Sequence, residues 1–243
     1  MSQAPRKKPA LFEAPGEKAE WVRRMFARIA PAYDRVNSVM TFGMDRRWRR
    51  ATVAAVAPAG ELALDVATGT GELAIELVRQ GARTVVGVDF VIEMIAAGRE
   101  KATRTGSASR IGFAAGDALA LPFDDNTFGA LVNGFLLRNL ADLPGSLREF
   151  HRVLKPGGRI ACLDVTHPPG VLRPLSLAYF NRIVPLIGGT LSGDFAAYRY
   201  LPRSLGELPE AGRLARMMAE AGFSAVGYQR LNFGLIAIHT GRK

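Results

Sequence analysis

From Leu62 onward the chain alternates short apolar runs with amphipathic stretches, and the first junction between them is a glycine turn. The segment reads Leu64-Asp65-Val66-Ala67-Thr68-Gly69-Thr70-Gly71-Glu72. Leu62–Ala67 has the length and apolar character of a strand, and Glu72–Gln80 has helical spacing. The glycines between them let backbone approach a ligand that a Cβ would exclude. Further strands are predicted over Thr84–Asp89, Ile111–Ala115, Phe128–Phe135 and Arg159–Val165, with a helix over Val91–Thr103. Another helix starts at an Asp142 cap, tolerates Pro144 in its first turn, and is stopped by Lys155-Pro-Gly-Gly158. A last helix, Glu210–Ala221, precedes two strands, Phe223–Arg230 and Phe233–Thr240, joined by a tight turn near Asn232. This order predicts an α/β fold: a Rossmann-like, seven-stranded, mostly parallel sheet with helices on both faces and an antiparallel last strand.

The flanks differ from this core. Residues 21–58 read as helical, with Trp21, Met25, Phe26, Ile29 and Tyr33 near helical spacing and a break at Pro31. Residues 1–20 are rich in Lys, Pro, Ala and Glu and read as a mobile tail without the apolar run of a signal peptide. Residues 171–205 read as a helical lid insertion, apolar in its first half. No apolar run reaches the roughly 18 residues a membrane span needs, so a cytoplasmic chain is expected. Cys162, the single cysteine, sits in an apolar run and reads as a buried core thiol. The histidines His151, His167 and His239 are scattered, so no metal site is expected. The net charge is +10, and residues 1–60 hold twelve Lys/Arg against five Asp/Glu, which suits an anionic partner such as a nucleic acid or a membrane face.

Candidate ligand groups lie at the ends of the predicted strands. Asp89 ends the second strand, twenty-four residues after Asp65, where a carboxylate can accept both hydroxyl protons of a ribose. Gly69-x-Gly71-x-x-Ala74 formally fits a pyrophosphate fingerprint. Asp65 opposes that reading, because a negative charge before the loop repels a pyrophosphate and suits a ligand with a cationic end. Gly116-Asp117-Ala118 follows the third strand, where a carboxylate can accept from an adenine amino group. With Leu121-Pro-Phe-Asp-Asp-Asn-Thr-Phe128 and Arg152-Val-Leu-Lys-Pro-Gly-Gly158, residues 60–166 resemble the class I S-adenosylmethionine-dependent methyltransferases.

The flanks narrow the resemblance. Arg24-Met-Phe-Ala-Arg-Ile-Ala-Pro-Ala-Tyr-Asp-Arg-Val-Asn37, Gly43-Met-Asp-Arg-Arg-Trp48 and Phe135-Leu-Leu-Arg-Asn139 resemble the ubiquinone/menaquinone biosynthesis C-methyltransferase family. Tyr179-Phe-Asn-Arg-Ile-Val-Pro-Leu-Ile-Gly188, Ser192-Gly-Asp194 and Tyr198-Arg-Tyr-Leu-Pro-Arg-Ser204 are similar to its menaquinone branch. The chain departs from the family pattern at Val36, Thr41 and Asp45, where Met, Ser and His are usual, and at Gly134, where a Ser is common.

The resemblance implies methylation of a ring carbon on a prenylated quinol, with demethylmenaquinol the favoured substrate and S-adenosylmethionine the donor. Asp65, Gly69, Thr70, Gly71, Asp89, Asp117, Ala118 and Gly134 are the expected cofactor residues. A phenol carbon becomes nucleophilic when a neighbouring hydroxyl is held as an oxyanion. Arg138 is expected to hold that oxyanion, Asn139 to orient the ring or a water, and Tyr33 to bond the second ring oxygen. His167 is a second candidate base. A membrane-borne quinol further implies transient contact with an anionic membrane surface through the basic N-terminal part and the apolar residues Leu175, Leu177, Phe180, Ile183 and Leu186. That segment is alternatively an ordinary lid or a homodimer contact. Other readings of the chain are a methyltransferase acting on a ubiquinone precursor or another small phenolic, a non-catalytic relative of the fold, and a nucleic-acid binder. Only Arg46-Arg-Trp-Arg-Arg50 mixes basic and aromatic residues in the way a nucleic-acid binder requires.

Overall fold

The computed structural model describes residues 15–170 and 173–243. Seven strands form one sheet: β1 (Leu62–Val66), β2 (Thr84–Asp89), β3 (Ile111–Ala115), β4 (Phe128–Gly134), β5 (Leu154–Val165), β6 (Ser224–Leu231) and β7 (Ile236–Arg242). Their order is β3-β2-β1-β4-β5-β7-β6. Strands β1 to β5 pair in parallel, while β7 runs antiparallel to both β5 and β6. β7 therefore lies inside the sheet, and β6 forms the edge.

The period-two alternation of strand side chains divides the core. Ala63, Ala130, Val132, Ala161 and Leu163 face α3 (Asp45–Val56) and α4 (Glu72–Arg79), packing with Trp48, Val53, Leu73 and Leu77. Leu64, Leu131, Ile160 and Cys162 face the opposite way, toward Leu147 and Phe150 of α6 (Leu143–Val153) and Leu214 and Met218 of α10 (Ala211–Glu220). Each fully buried large apolar side chain contributes about 1.5–3 kcal/mol. Cys162 is a fully buried thiol, its pKa pushed up to about 12 by that burial.

A third apolar cluster stands over the carboxyl ends of the strands. It joins Val22, Met25 and Ile29 of α1 (Pro15–Ile29), Val36 and Met40 of α2 (Tyr33–Met40), and Met94 of α5 (Ile92–Arg104). Val184 and Tyr198 complete it. They come from a helical insertion made of α7 (Arg173–Ala178), a π turn (Tyr179–Ile183), α8 (Val184–Ser192) and α9 (Phe195–Leu205). Val22, Met25 and Ile29 recur at the spacing of one helix face, and Pro31 turns the chain into α2 through a short 3-10 turn. Asp142 and Asp194 cap α6 and α9, accepting from the amides of Gly145 and Ala197.

Several boundaries differ from the sequence reading. Residues 15–20 are the first turns of α1 rather than tail, and residues 1–14 lie outside the described residues. So do Val171 and Leu172 and the side chain of Leu175, which was expected in the lid. The Lys155–Gly158 stretch ends α6 but belongs to β5, because Leu154 already pairs with Phe128. β7 starts only at Ile236, because Asn232 and Phe233 take up left-handed backbone with φ of 48° and 54°.

The insertion holds its shape through a close helix contact. A Cβ on Gly188 or Gly189 of α8 would overlap the rings of Tyr198 and Phe195 on α9. Gly188→Val should therefore cost about 2 kcal/mol by overpacking, read as a lower urea midpoint. A loss below about 0.5 kcal/mol, the scatter of a surface change, would contradict this packing.

Candidate active site

The strand order reverses between β1 and β4, and in open α/β sheets the crevice for a ligand forms at the carboxyl ends beside such a point. A cleft opens there. Its floor is Val66 at the end of β1 with Ala67 and Gly69 after it, Val88 and Asp89 of β2, Gly116, Asp117 and Ala118 after β3, and Gly134 of β4. Ala19, Val22 and Phe26 of α1 roof it. Lys18 holds that roof down, donating to the carbonyls of Arg138 and Leu140 and pairing with Glu207 at 2.7 Å.

Asp89 is the carboxylate at the centre of the cleft. Its Oδ2 accepts from the Gly69 amide at 2.8 Å and its Oδ1 from the Val91 amide at 2.9 Å. Burial raises its pKa to about 6 against the opposing effect of these amides. Asp117 is exposed, with Oδ1 turned to the Leu119 amide. Gly134 lies so close to α4 that a Cβ would come within 2.9 Å of Leu73 Cδ1. A small shift of that side-chain tip would admit a Cβ, so nothing in the structure explains the departure from Ser.

The other expected cofactor residues build the turn from behind. Asp65 is fully buried and does not line the cleft. Its Oδ2 accepts from Thr68 Oγ1 at 2.7 Å and from the Ala74 amide at 3.0 Å. Burial, with Asp89 nearby, pushes its pKa up to about 7. Its place is therefore a tie between the turn and α4, not the direct ligand contact expected from its charge. Thr70 likewise points away, donating to Asp34 of α2 at 2.6 Å and accepting from Lys101 of α5 at 2.9 Å. Gly71 takes φ 79° and starts α4 against the ring of Phe113.

A second, larger cavity of about 390 Å³ adjoins the cleft. Met25, Ile29, Met40, Trp48, Val165, Phe180, Val184, Leu201 and Ile236 make it mostly apolar. Phe26, Tyr33 and Phe135 line both spaces and form the wall between them. Phe135 sits on left-handed backbone with φ 59°. Tyr33 has its phenol pKa raised by burial, so the group stays a donor at neutral pH.

Arg138 lines the larger cavity and is 5% exposed. Its Nη1 pairs with Asp164 Oδ1 at 2.5 Å, and its guanidinium carbon stands 5.6 Å over the Phe135 ring. Its Nε is buried with no partner within the described protein. Asn139 lines the cleft instead. Its Nδ2 donates to the Phe135 carbonyl and its Oδ1 accepts from Tyr200, so the amide braces the turn after β4. His167 lines neither space; its Nε2 donates to the Leu208 carbonyl at 3.0 Å. The sequence reading did not single out Asp164, Lys101, Asp34, Lys18 or Arg49. A lone carboxylate in the apolar run Ile160–Val165 was the available signal for Asp164, because a buried charge requires a partner. Thr41 and Asp45, two departures from the family pattern, bond each other at 3.0 Å on the cavity wall, and Asp45 pairs with Arg49 at 2.7 Å. No group of three or more metal-ligating side chains occurs among the described residues.

Comparison with known proteins agrees with this architecture. The chain is 48% identical over 236 residues to a demethylmenaquinone methyltransferase of Roseiflexus castenholzii, covering 96% of this chain and 98% of that protein. It is 42% identical over 231 residues to a ubiquinone/menaquinone biosynthesis C-methyltransferase of Geobacter sulfurreducens, covering 93% and 90%. Among solved structures it is similar to an S-adenosylmethionine-dependent methyltransferase from Thermotoga maritima, at a TM-score of 0.66 and 18% identity over 90% of this chain and 99% of that one. Residues 14–243 match the profile of the ubiE/COQ5 methyltransferase family, and the chain belongs to that family.

Proposed function

We infer that this chain transfers a methyl group from S-adenosylmethionine to a ring carbon of a prenylated quinol, converting demethylmenaquinol to menaquinol. One observation carries the reading. A cleft lined by the carboxylates of Asp89 and Asp117 shares a wall, at Phe26, Tyr33 and Phe135, with an apolar cavity holding a buried guanidinium. The names of the relatives at 48% and 42% identity support the substrate class.

The cleft suits the donor. Asp89 keeps lone pairs beyond its two amide bonds and would take the ribose hydroxyls. The second oxygen of Asp117 would accept from the adenine amino group. Gly69 and Gly134 offer backbone without a Cβ along the wall. The sulfonium of the donor supplies an electrophilic methyl group when bound.

The chain's own task is to make a ring carbon nucleophilic and to aim it. Arg138 holds the ring oxyanion through the guanidinium N–H groups that its pair with Asp164 leaves free at the cavity wall. Asp164 fixes the guanidinium in place and balances its charge. Tyr33 donates to the second ring oxygen from the shared wall. Asn139 positions Phe135 and the turn carrying Arg138. The apolar walls exclude water and strengthen each of these interactions.

Arg138→Lys keeps a cation beside Asp164 but loses the planar fork of guanidinium donors. Turnover should fall about 10²-fold or more, the usual cost of one such donor, with S-adenosylhomocysteine affinity preserved. Turnover within about threefold of wild type would remove Arg138 from the reaction. The substrate is checked by mass spectrometry of ring methylation with reduced demethylmenaquinone beside the ubiquinone precursor. Methylation of the precursor alone would overturn the assignment.

Cofactor affinity should depend on pH through Asp89. Ribose hydroxyls favour the ionised carboxylate, and the free group titrates at about 6. Affinity is then full above that pH and falls as pH drops through it, by about tenfold one unit below. Calorimetry with S-adenosylhomocysteine should show this fall in wild type and a weaker, nearly flat profile in Asp89→Asn. Equal pH profiles in the two proteins would rule out the assigned role of Asp89.

A further inference from the structure

Phe42 and Phe233 are 75% and 76% exposed, more than any other large apolar residue described. They come from distant parts of the chain, the turn between α2 and α3 and the turn between β6 and β7. Both line the 390 Å³ cavity, so they stand at its mouth. Both also have left-handed backbone, with φ of 52° and 54°, a conformation disfavoured for a bulky residue. Core packing does not account for either ring, because each is held out in water on strained backbone.

The elements that line this cavity also carry exposed apolar and basic side chains. Val39 on α2 and Ile183 and Leu186 on the insertion are 44%, 42% and 59% exposed. Arg35 on α2, Arg46 and Arg47 on α3 and Arg182 on the insertion lie exposed, and none is ion-paired among the described residues. An exposed apolar rim with a charged surround marks an interaction surface. Unpaired arginines on a chain of net charge +10 favour an anionic one.

We propose that this rim docks on an anionic lipid bilayer. Phe42 and Phe233 enter the boundary between headgroups and acyl chains, and Arg46 and Arg47, in the first turn of α3 just beyond Phe42, meet the headgroups. The cavity then opens onto the bilayer, and a prenyl tail passes between the two rings without crossing water. This last step rests on the quinol reading of the cavity; the docking itself needs only the rim. The first half of the lid contributes Ile183 and Leu186, as the sequence suggested, but the principal contacts move to two turns outside it.

The test is flotation of the full chain with quinone-free vesicles of phosphatidylcholine, alone or mixed with phosphatidylglycerol. The wild type should bind the mixed vesicles. Phe42→Ser/Phe233→Ser should bind them about tenfold or more weakly. Arg46→Gln/Arg47→Gln should lose about fivefold or more at low salt, together with the preference for phosphatidylglycerol. Unchanged S-adenosylhomocysteine affinity by calorimetry reports that each variant is folded. Phe42→Trp and Phe233→Trp supply a readout that needs no loss of binding: their added emission should be quenched by brominated acyl chains. Equal vesicle binding by wild type and the serine pair, or unquenched emission at both positions, overturns the proposal. So does a wild-type dimer, seen by analytical ultracentrifugation, that buries both rings and is abolished in the serine pair. No methylation is measured here, so failure of the quinol assay and failure of docking are separate results.

Discussion

The turn after β1 keeps its shape because a carboxylate is buried beneath it. Asp65 is closed off from water and ties Thr68 and the start of α4 to the end of the strand. With the turn held, Gly69 presents its amide to Asp89, and Thr70 reaches Asp34 and Lys101. Lys101 pairs with both Asp34 and Glu72, Glu72 shares Arg49 with Asp45, and Asp45 accepts from Thr41. A continuous line of polar contacts thus joins the cleft at the strand ends to the apolar cavity through α2, α3, α4 and α5. A connected network of this kind holds its members more firmly than separate pairs would. The two spaces are positioned by the same contacts.

The cavity itself is an assembly of distant segments. Residues from α1 to α3, the turn after β4, the insertion and the β6–β7 turn all contribute walls. Within that apolar space Arg138 and Asp164 form the most buried ion pair described, at 5% and 2% side-chain exposure. Loss of one member of such a pair leaves an uncompensated charge and costs about 3–5 kcal/mol. The pair therefore works as an orienting device more than as a source of net stability. The strong, buried interaction with Asp164 keeps the guanidinium at the cavity wall.

Much of this was legible in the residues. Strand and helix positions from 62 to 165 follow from apolar periodicity, and Asp142 and Gly71 mark helix starts by their own chemistry. Asp89, Gly69, Asp117 and Gly134 lie in the cleft because each ends a strand or follows shortly after one, which the pattern locates directly. Gly71 caps α4 outside the cleft lining, and the side chains of Thr70 and Asp65 turn to polar partners on α2, α4 and α5, because the direction of a side chain in a turn depends on what the neighbouring helices offer it. His167 follows a strand end too, yet the Leu208 carbonyl draws its ring away from the cavity.

Local pattern by itself determined the sheet, the glycine turn, the family and the residue types available at the strand ends, because periodicity, turn chemistry and motif spacing act over a few residues. Only the tertiary structure decided which of those residues meet. Packing across long separations paired Arg138 with Asp164, laid α1 over the cleft, gave the cleft and the cavity one wall, and brought Phe42 and Phe233 to one mouth. These outcomes depend on distances between helices that no local pattern contains, since each is fixed by burial of apolar surface shared among segments far apart in sequence.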